Sequence, residues 1–201
     1  MNLSARMILV LTSVGLLSGG FLASVGILTK DRIALNKQKE IEAAIGLVVP
    51  GTEQSRIVLQ DEAVTLYEGG DAEGRPIGYA VLASGTGFQD KITLMFGLAV
   101  SLDRIIRLTI LEQKETPGLG ARITSQDAFL TFWENKDCSG PLSLRKPAAK
   151  TAQDLAPGEV NTITGATISS EKVLGIVTGS LERIKRMKTE GKLGAEGQDG
   201  R

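Results

Sequence analysis

Between residues 7 and 28 the chain contains no charged residue, and Leu, Val, Ile, Ala, Gly and Ser dominate. A helix of about 20 such residues spans the hydrocarbon core of a bilayer, where backbone N–H and C=O groups must be satisfied within the segment. This run predicts a single transmembrane helix over 7–28 in contact with membrane lipid. A secretory signal has a shorter apolar core, about 7–15 residues, and then a small-residue cleavage site. Leu22-Ala23-Ser24 resembles such a site weakly, but the length favours an uncleaved anchor. Gly15-x-x-x-Gly19 gives the span a small face for another helix, although glycine is also simply common in membrane helices. Charge leaves the orientation open. Arg6 precedes the span, and Lys30, Arg32, Lys37 and Lys39 follow it. Counting basic residues puts the long C-terminal part inside, yet long domains translocate largely regardless of flanking charge.

The remainder predicts an α+β domain. Residues 31–45 carry the apolar stripe of a juxtamembrane helix (Ile33, Ala34, Ile41, Ala44, Ile45), which Pro50-Gly51 stops. Strand-like runs follow at 63–67, 77–83, 91–100 and 104–112, separated by turn-rich segments. They suggest an antiparallel meander with one buried face, flanked by helices. Residues 128–133 read as a short helix, and 140–158, with three prolines and little periodicity, as a surface connection. Val173, Leu174, Val177, Leu181, Ile184 and Met187 mark one face of a final helix. Arg183, Lys185, Arg186 and Lys188 stand where cations suit its dipole. The expected organisation is a short segment 1–6, a transmembrane helix 7–28, a domain 29–190 and a disordered glycine-rich tail 191–201.

Composition removes several functions. The 201 residues include 23 basic and 23 acidic side chains, so there is no net charge to attract nucleic acid. There is no histidine. A Ser or Thr nucleophile usually needs an adjacent base, most often His. Zinc, haem or an iron–sulfur cluster would need more His or Cys than the single Cys138, which reads as a buried thiol. No catalytic residue and no metal ligand is expected. Redox or group-transfer chemistry would be carried by an organic cofactor.

Two segments stand out. Thr164-Gly165-Ala166-Thr167-Ile168-Ser169-Ser170 sets four hydroxyls around two small residues at the entrance to the final helix. One reading is a helix cap. The other is a phosphate site at a helix start. Glu115-Thr116-Pro117-Gly118-Leu119-Gly120 is a tight loop with fixed and permissive backbone positions. The pairs Gly85/Gly87 and Gly118/Gly120 begin like dinucleotide fingerprints, but Asp90 and Ile123 stand where the third glycine belongs.

With Leu66-Tyr67, Gly74 and Gly78-Tyr79-Ala80 ahead of them, these two motifs resemble the FMN-binding domain of the Rnf and Nqr electron-transport complexes. The features look most like the G subunits of Rnf, with the C subunits of the sodium-pumping NADH:quinone oxidoreductase as the alternative. The resemblance implies FMN held covalently, its phosphate esterified to Thr167 by a separate flavin transferase that uses FAD. It implies that Thr164, Gly165, Ala166 and Ser169 bind the cofactor: Gly165 and Ala166 give the transferase access to the backbone, and the remaining hydroxyls and the helix start hold the phosphodiester. It implies that Glu115, Thr116, Gly118, Leu119 and Gly120 lie against the flavin ring. Glu115 either hydrogen-bonds the flavin or orders its own turn. Arg122 either neutralises the phosphate or reduced flavin or forms a surface ion pair. The implied function is electron transfer in a membrane-bound, ion-translocating ferredoxin:NAD⁺ oxidoreductase, beside other membrane subunits and not as an enzyme alone. Service to another extracytoplasmic reductase is a further alternative. The implied location is the extracytoplasmic, periplasmic side of the cytoplasmic membrane. One departure is Asn161, at a position where the family commonly has Asp.

Overall fold

The computed structural model describes residues 2–61 and 63–191. The chain divides into two compact units, the first ending at Glu42 and the second starting at Ala43. The first consists of most of α1 (Leu3–Val48). All of residues 7–28 are exposed, among them Leu16, Leu17, Phe21 and Leu22. By length and composition α1 can cross a membrane. Two hydroxyls of the apolar run are satisfied locally: Ser13 donates to the Leu9 carbonyl and Ser24 to that of Gly20, both at 2.8 Å. Such back-bonding leaves no unpaired donor on these side chains, as a helix in lipid requires. The apolar run and the predicted juxtamembrane helix form one continuous helix, because no Gly or Pro lies between Gly26 and Gly46.

The second unit is built on a six-stranded antiparallel sheet in sequence order. Its strands are β1 (Gln54–Gln60), β2 (Val64–Gly70), β3 (Pro76–Thr86), β4 (Lys91–Leu98), β5 (Arg104–Glu112) and the short β6 (Lys136–Asp137). Four of them match the predicted runs closely. β1 escapes the sequence reading because it is an edge strand with five of its seven residues exposed, so it shows no clean alternation. The central β4 is buried on both faces. Ile92, Leu94, Phe96 and Leu98 join the main core, which also takes in Phe129, Trp133, Val173, Val177, Leu181 and Ile184. Each such side chain contributes roughly 1.5–3 kcal/mol by leaving water. On β4, Gly97 lets the backbone at Val48 approach; a Cβ there would collide with the Val48 carbonyl.

α2 (Thr167–Thr189) packs on the sheet at β3 and buries the predicted apolar face. Two of its basic residues have specific partners beyond the dipole role. Lys185 Nζ donates to the Cys138 carbonyl at 2.6 Å. Arg183 Nε pairs with Asp61 at 2.6 Å. Cys138 is buried, and burial pushes its thiol pKa up, as suits an inert side chain.

Two local expectations need correction. The predicted helix over 128–133 is a 3₁₀ turn, Leu130–Trp133, preceded by another at Gly120–Thr124. The predicted surface connection contains β7 (Ser143–Arg145), which pairs in parallel with β8 (Glu159–Asn161). Strands of three residues are too short to leave a periodic trace. The tail predicted over 191–201 lies, from residue 192 on, outside the described residues.

The Asp61–Arg183 pair carries a pH prediction. Burial raises the Asp61 pKa, but N–H bonds from Ala63 and Val64 and the Arg183 charge outweigh it, leaving the carboxyl below its ordinary value. A depressed carboxyl stabilises the fold above its unfolded pKa and loses that contribution as pH falls through the folded value. Asp61→Asn is therefore expected to flatten the fall in stability below about pH 4 while costing under about 1 kcal/mol at neutral pH. Urea midpoints measured from pH 7 down to pH 3 check this.

Candidate functional site

The two motifs, distant in sequence, meet in one cleft of about 370 Å³. The 115–120 loop contributes Glu115, Thr116, Leu119 and Gly120. The start of α2 contributes Gly165, Ala166, Thr167, Ile168 and Ser169. Phe88, from the turn between β3 and β4, completes the lining. Sequence reasoning missed Phe88; the only available signal was an aromatic between Gly87 and Asp90 in a turn. A larger hollow of about 610 Å³ between β3 and α2 contains no residue of either motif. Size alone would favour it, but the smaller cleft is where the two motifs converge.

Two expected residues lie off the cleft. Gly118 is exposed with φ +74, so its part is to turn the loop. Thr164 is exposed and lines a separate hollow of about 200 Å³ with Arg122, Lys150 and Asn161. Arg122 is exposed and forms no ion pair among the described residues.

Glu115 organises the cleft. It is only 3% exposed. One carboxylate oxygen accepts the N–H of Phe88 at 2.8 Å and of Gln89 at 3.1 Å. The other accepts the Ser169 hydroxyl at 2.6 Å. The Glu115 N–H donates to the Gln113 side chain at 2.7 Å. The carboxylate thus ties three segments together, beyond the ordering of its own turn. Gly120 permits this, because a Cβ there would stand 2.6 Å from Ser169 Oγ and 2.8 Å from the Glu115 carboxylate.

At the start of α2 the capping reading fails. The N-cap residue is Ala166, with no side-chain cap. The first helical bond runs from the Ser170 N–H to the Ala166 carbonyl at 3.1 Å. The N–H groups of Thr167, Ile168 and Ser169 therefore have no intrahelical acceptor, and their partial positive charge suits an anion. The hydroxyls of the motif divide into two kinds. Ser170 accepts the Ile163 N–H and donates to the Ala166 carbonyl, both at 3.1 Å. Ser169 is committed to Glu115. Thr164 and Thr167 have no side-chain hydrogen bond among the described residues, and of these two only Thr167, which is half-buried, lines the cleft. Thr116 brings to the cleft, from the loop side, a second hydroxyl with no hydrogen bond among the described residues. Gly165, at φ +85, turns the chain into the helix, and Leu119 packs 3.6 Å from the place of its missing Cβ.

Asn161 braces the neighbouring chain. Its Oδ1 accepts the N–H of Ala149 at 2.7 Å and its Nδ2 donates to the Ala149 carbonyl at 3.0 Å. An aspartate cannot make the second bond and would set a negative oxygen against that carbonyl. Asn161→Asp is expected to cost about 1–3 kcal/mol. A lowered unfolding midpoint with unchanged secondary structure by circular dichroism checks it.

A family model described as an FMN-binding domain matches residues 87–182. Over 121 residues, 60% of the chain, the sequence is 31% identical to the G subunit of the ion-translocating oxidoreductase complex of Methanosarcina acetivorans. That match covers 58% of the relative, so the chain spans less than two thirds of its length. The chain is 25% identical over 179 residues to the corresponding G subunit of Vibrio vulnificus, covering 82% of each. Among solved structures it is similar to Shewanella oneidensis NqrC, with a TM-score of 0.50 and 19% identity over 70% of this chain and 73% of that one, which is a likeness of fold. Residues 87–182 thus match the FMN-binding domain model, and the chain is similar to G subunits of ion-translocating oxidoreductase complexes.

Proposed function

We propose that this chain is a membrane-anchored electron carrier that holds FMN through a phosphoester to Thr167. The observation that carries the reading is the chemistry of the cleft. Thr167 has an uncommitted hydroxyl, set at an uncapped helix start and within the cleft shared with the 115–120 loop. The residues fit the group. Free N–H groups and the helix dipole suit the phosphate. The loop offers backbone polar groups and Leu119 an apolar surface to a ring.

Attachment is a phosphoryl transfer with no change of oxidation state. Thr167 Oγ1 would be the acceptor, displacing AMP from the FMN-side phosphorus of FAD as the pyrophosphate P–O bond breaks and the phosphoester forms. The hydroxyl proton passes to a base of the flavin transferase, so the lack of histidine in this chain is no obstacle. When bound, the flavin supplies one- and two-electron transfer. Residues of the cleft would hold it in place, and the covalent link would keep it from diffusing away. We further infer that α1 anchors the domain on the extracytoplasmic side, beside the other membrane subunits of a ferredoxin:NAD⁺ oxidoreductase of the Rnf type.

Co-expression with a flavin transferase is expected to yield a band that fluoresces under ultraviolet light after denaturation. A dark band would sink the carrier reading. Protease added to intact cells is expected to remove the second unit; its protection would reverse the orientation.

A further inference from the structure

We propose that Phe88 is the aromatic wall of the cleft, the surface on which the flavin ring lies; this rests on the FMN-carrier reading above. Phe88 is 59% exposed, and Leu119 and Ile168, which line the same cleft, are 51% and 48% exposed. Outside α1, the other exposed large hydrophobic residues among those described are Ile57 and Val100. With Leu47 of α1, the second unit has six such residues described, and three of the six share this one cleft; such clustering marks a binding surface.

The exposure of Phe88 is not that of a loose loop. Glu115 accepts the N–H groups of both Phe88 and Gln89. The Gly87 N–H closes the turn on the Asp90 carbonyl at 2.8 Å. Gly87 has no room for a side chain, since a Cβ would meet the Glu115 carboxylate and stand 2.6 Å from that carbonyl. The backbone is held by three hydrogen bonds, yet the ring it presents is largely exposed.

The cleft therefore has an apolar rim of Phe88, Leu119 and Ile168 and a polar floor at the start of α2. It suits a ligand that is flat and apolar on its faces and anionic at one end. An FMN joined to Thr167 has that form, with the phosphate at the floor and the ring at the rim. An aromatic side chain meets such a ring best in offset-stacked or edge-to-face contact.

The test uses contact quenching. A tryptophan ring touching a flavin quenches its fluorescence by electron transfer, whereas phenylalanine does so weakly. The full chain is loaded in cells by a flavin transferase and purified in detergent. Native fluorescence is then divided by that of the same sample after unfolding. Phe88→Trp is expected to lower this ratio several-fold from wild type. Ile57→Trp, similarly exposed but off the cleft, is expected to leave it unchanged. Equal ratios for the two variants would overturn the assignment of Phe88 and leave the carrier reading standing. Unfolded bands that are dark in every protein, wild type included, would overturn both.

Discussion

Thr167→Ala, made alongside a flavin transferase, is expected to give a denatured band with no flavin fluorescence, against a bright wild-type band. The effect should be complete, because the substitution removes the atom proposed to form the bond. The fold should survive. Thr167 has no side-chain hydrogen bond to lose among the described residues, and alanine is the better helix former by a few tenths of a kcal/mol. Its neighbours should behave in the opposite way. Ser170→Ala strands the Ile163 N–H in a buried site, at a cost of about 1–3 kcal/mol, but should keep the fluorescent band. Ser169→Ala removes one donor to Glu115 and should keep it too. A bright Thr167→Ala band would move the attachment to Thr164, whose hydroxyl is exposed, or to one of the serines.

Glu115→Ala is expected to be the most destabilising change at the cleft. It leaves two backbone N–H groups and the Ser169 hydroxyl without their acceptor. Hydrogen bonds to a charged group contribute about 1.5–3 kcal/mol each, and they share one carboxylate, so a total of about 3–5 kcal/mol is expected. At roughly 2–4 °C per kcal/mol for a chain of this size, Tm should fall by about 10 °C. Glu115→Gln should recover most of it. Its carbonyl oxygen can accept from Phe88 and Gln89, and its amide can donate to Ser169 Oγ, because a hydroxyl both donates and accepts. Thermal melts of the detergent-purified chain decide the matter: an alanine variant that melts with wild type would show that Glu115 does not hold the cleft together.

The contrast between these two residues shows what was legible in advance. Thr167 stands in a contiguous motif of small and hydroxyl residues ahead of an amphipathic run. Its place at a helix start follows from neighbours within a few positions. The strands over 77–83, 91–100 and 104–112 were legible for the same reason, since apolar patterning is local. The work of Glu115 depends on Ser169, which is 54 residues away, and on Phe88, which is 27 away. No local pattern encodes such pairs. That Glu115 braces more than its own turn became visible only through the sheet, which brings the β3–β4 turn, the 115–120 loop and the start of α2 together.

Likewise, the sequence alone could not say which of four hydroxyls would be free to face a ligand. Thr164, Thr167, Ser169 and Ser170 have similar chemistry, and each could have capped the helix. Folding consumed two of them, Ser169 on Glu115 and Ser170 on the 163–166 turn. It left Thr164 outside the cleft and gave the N-cap position to Ala166, which has nothing to cap with. By itself the sequence determined a lipid-compatible helix, an antiparallel domain and a cluster of candidate phosphate ligands, because burial period and chain composition act over a few residues. The tertiary structure decided which free hydroxyl of that cluster lines the cleft and which aromatic shares it, because hydrogen bonds are allotted only when distant segments compete for the same donors and acceptors.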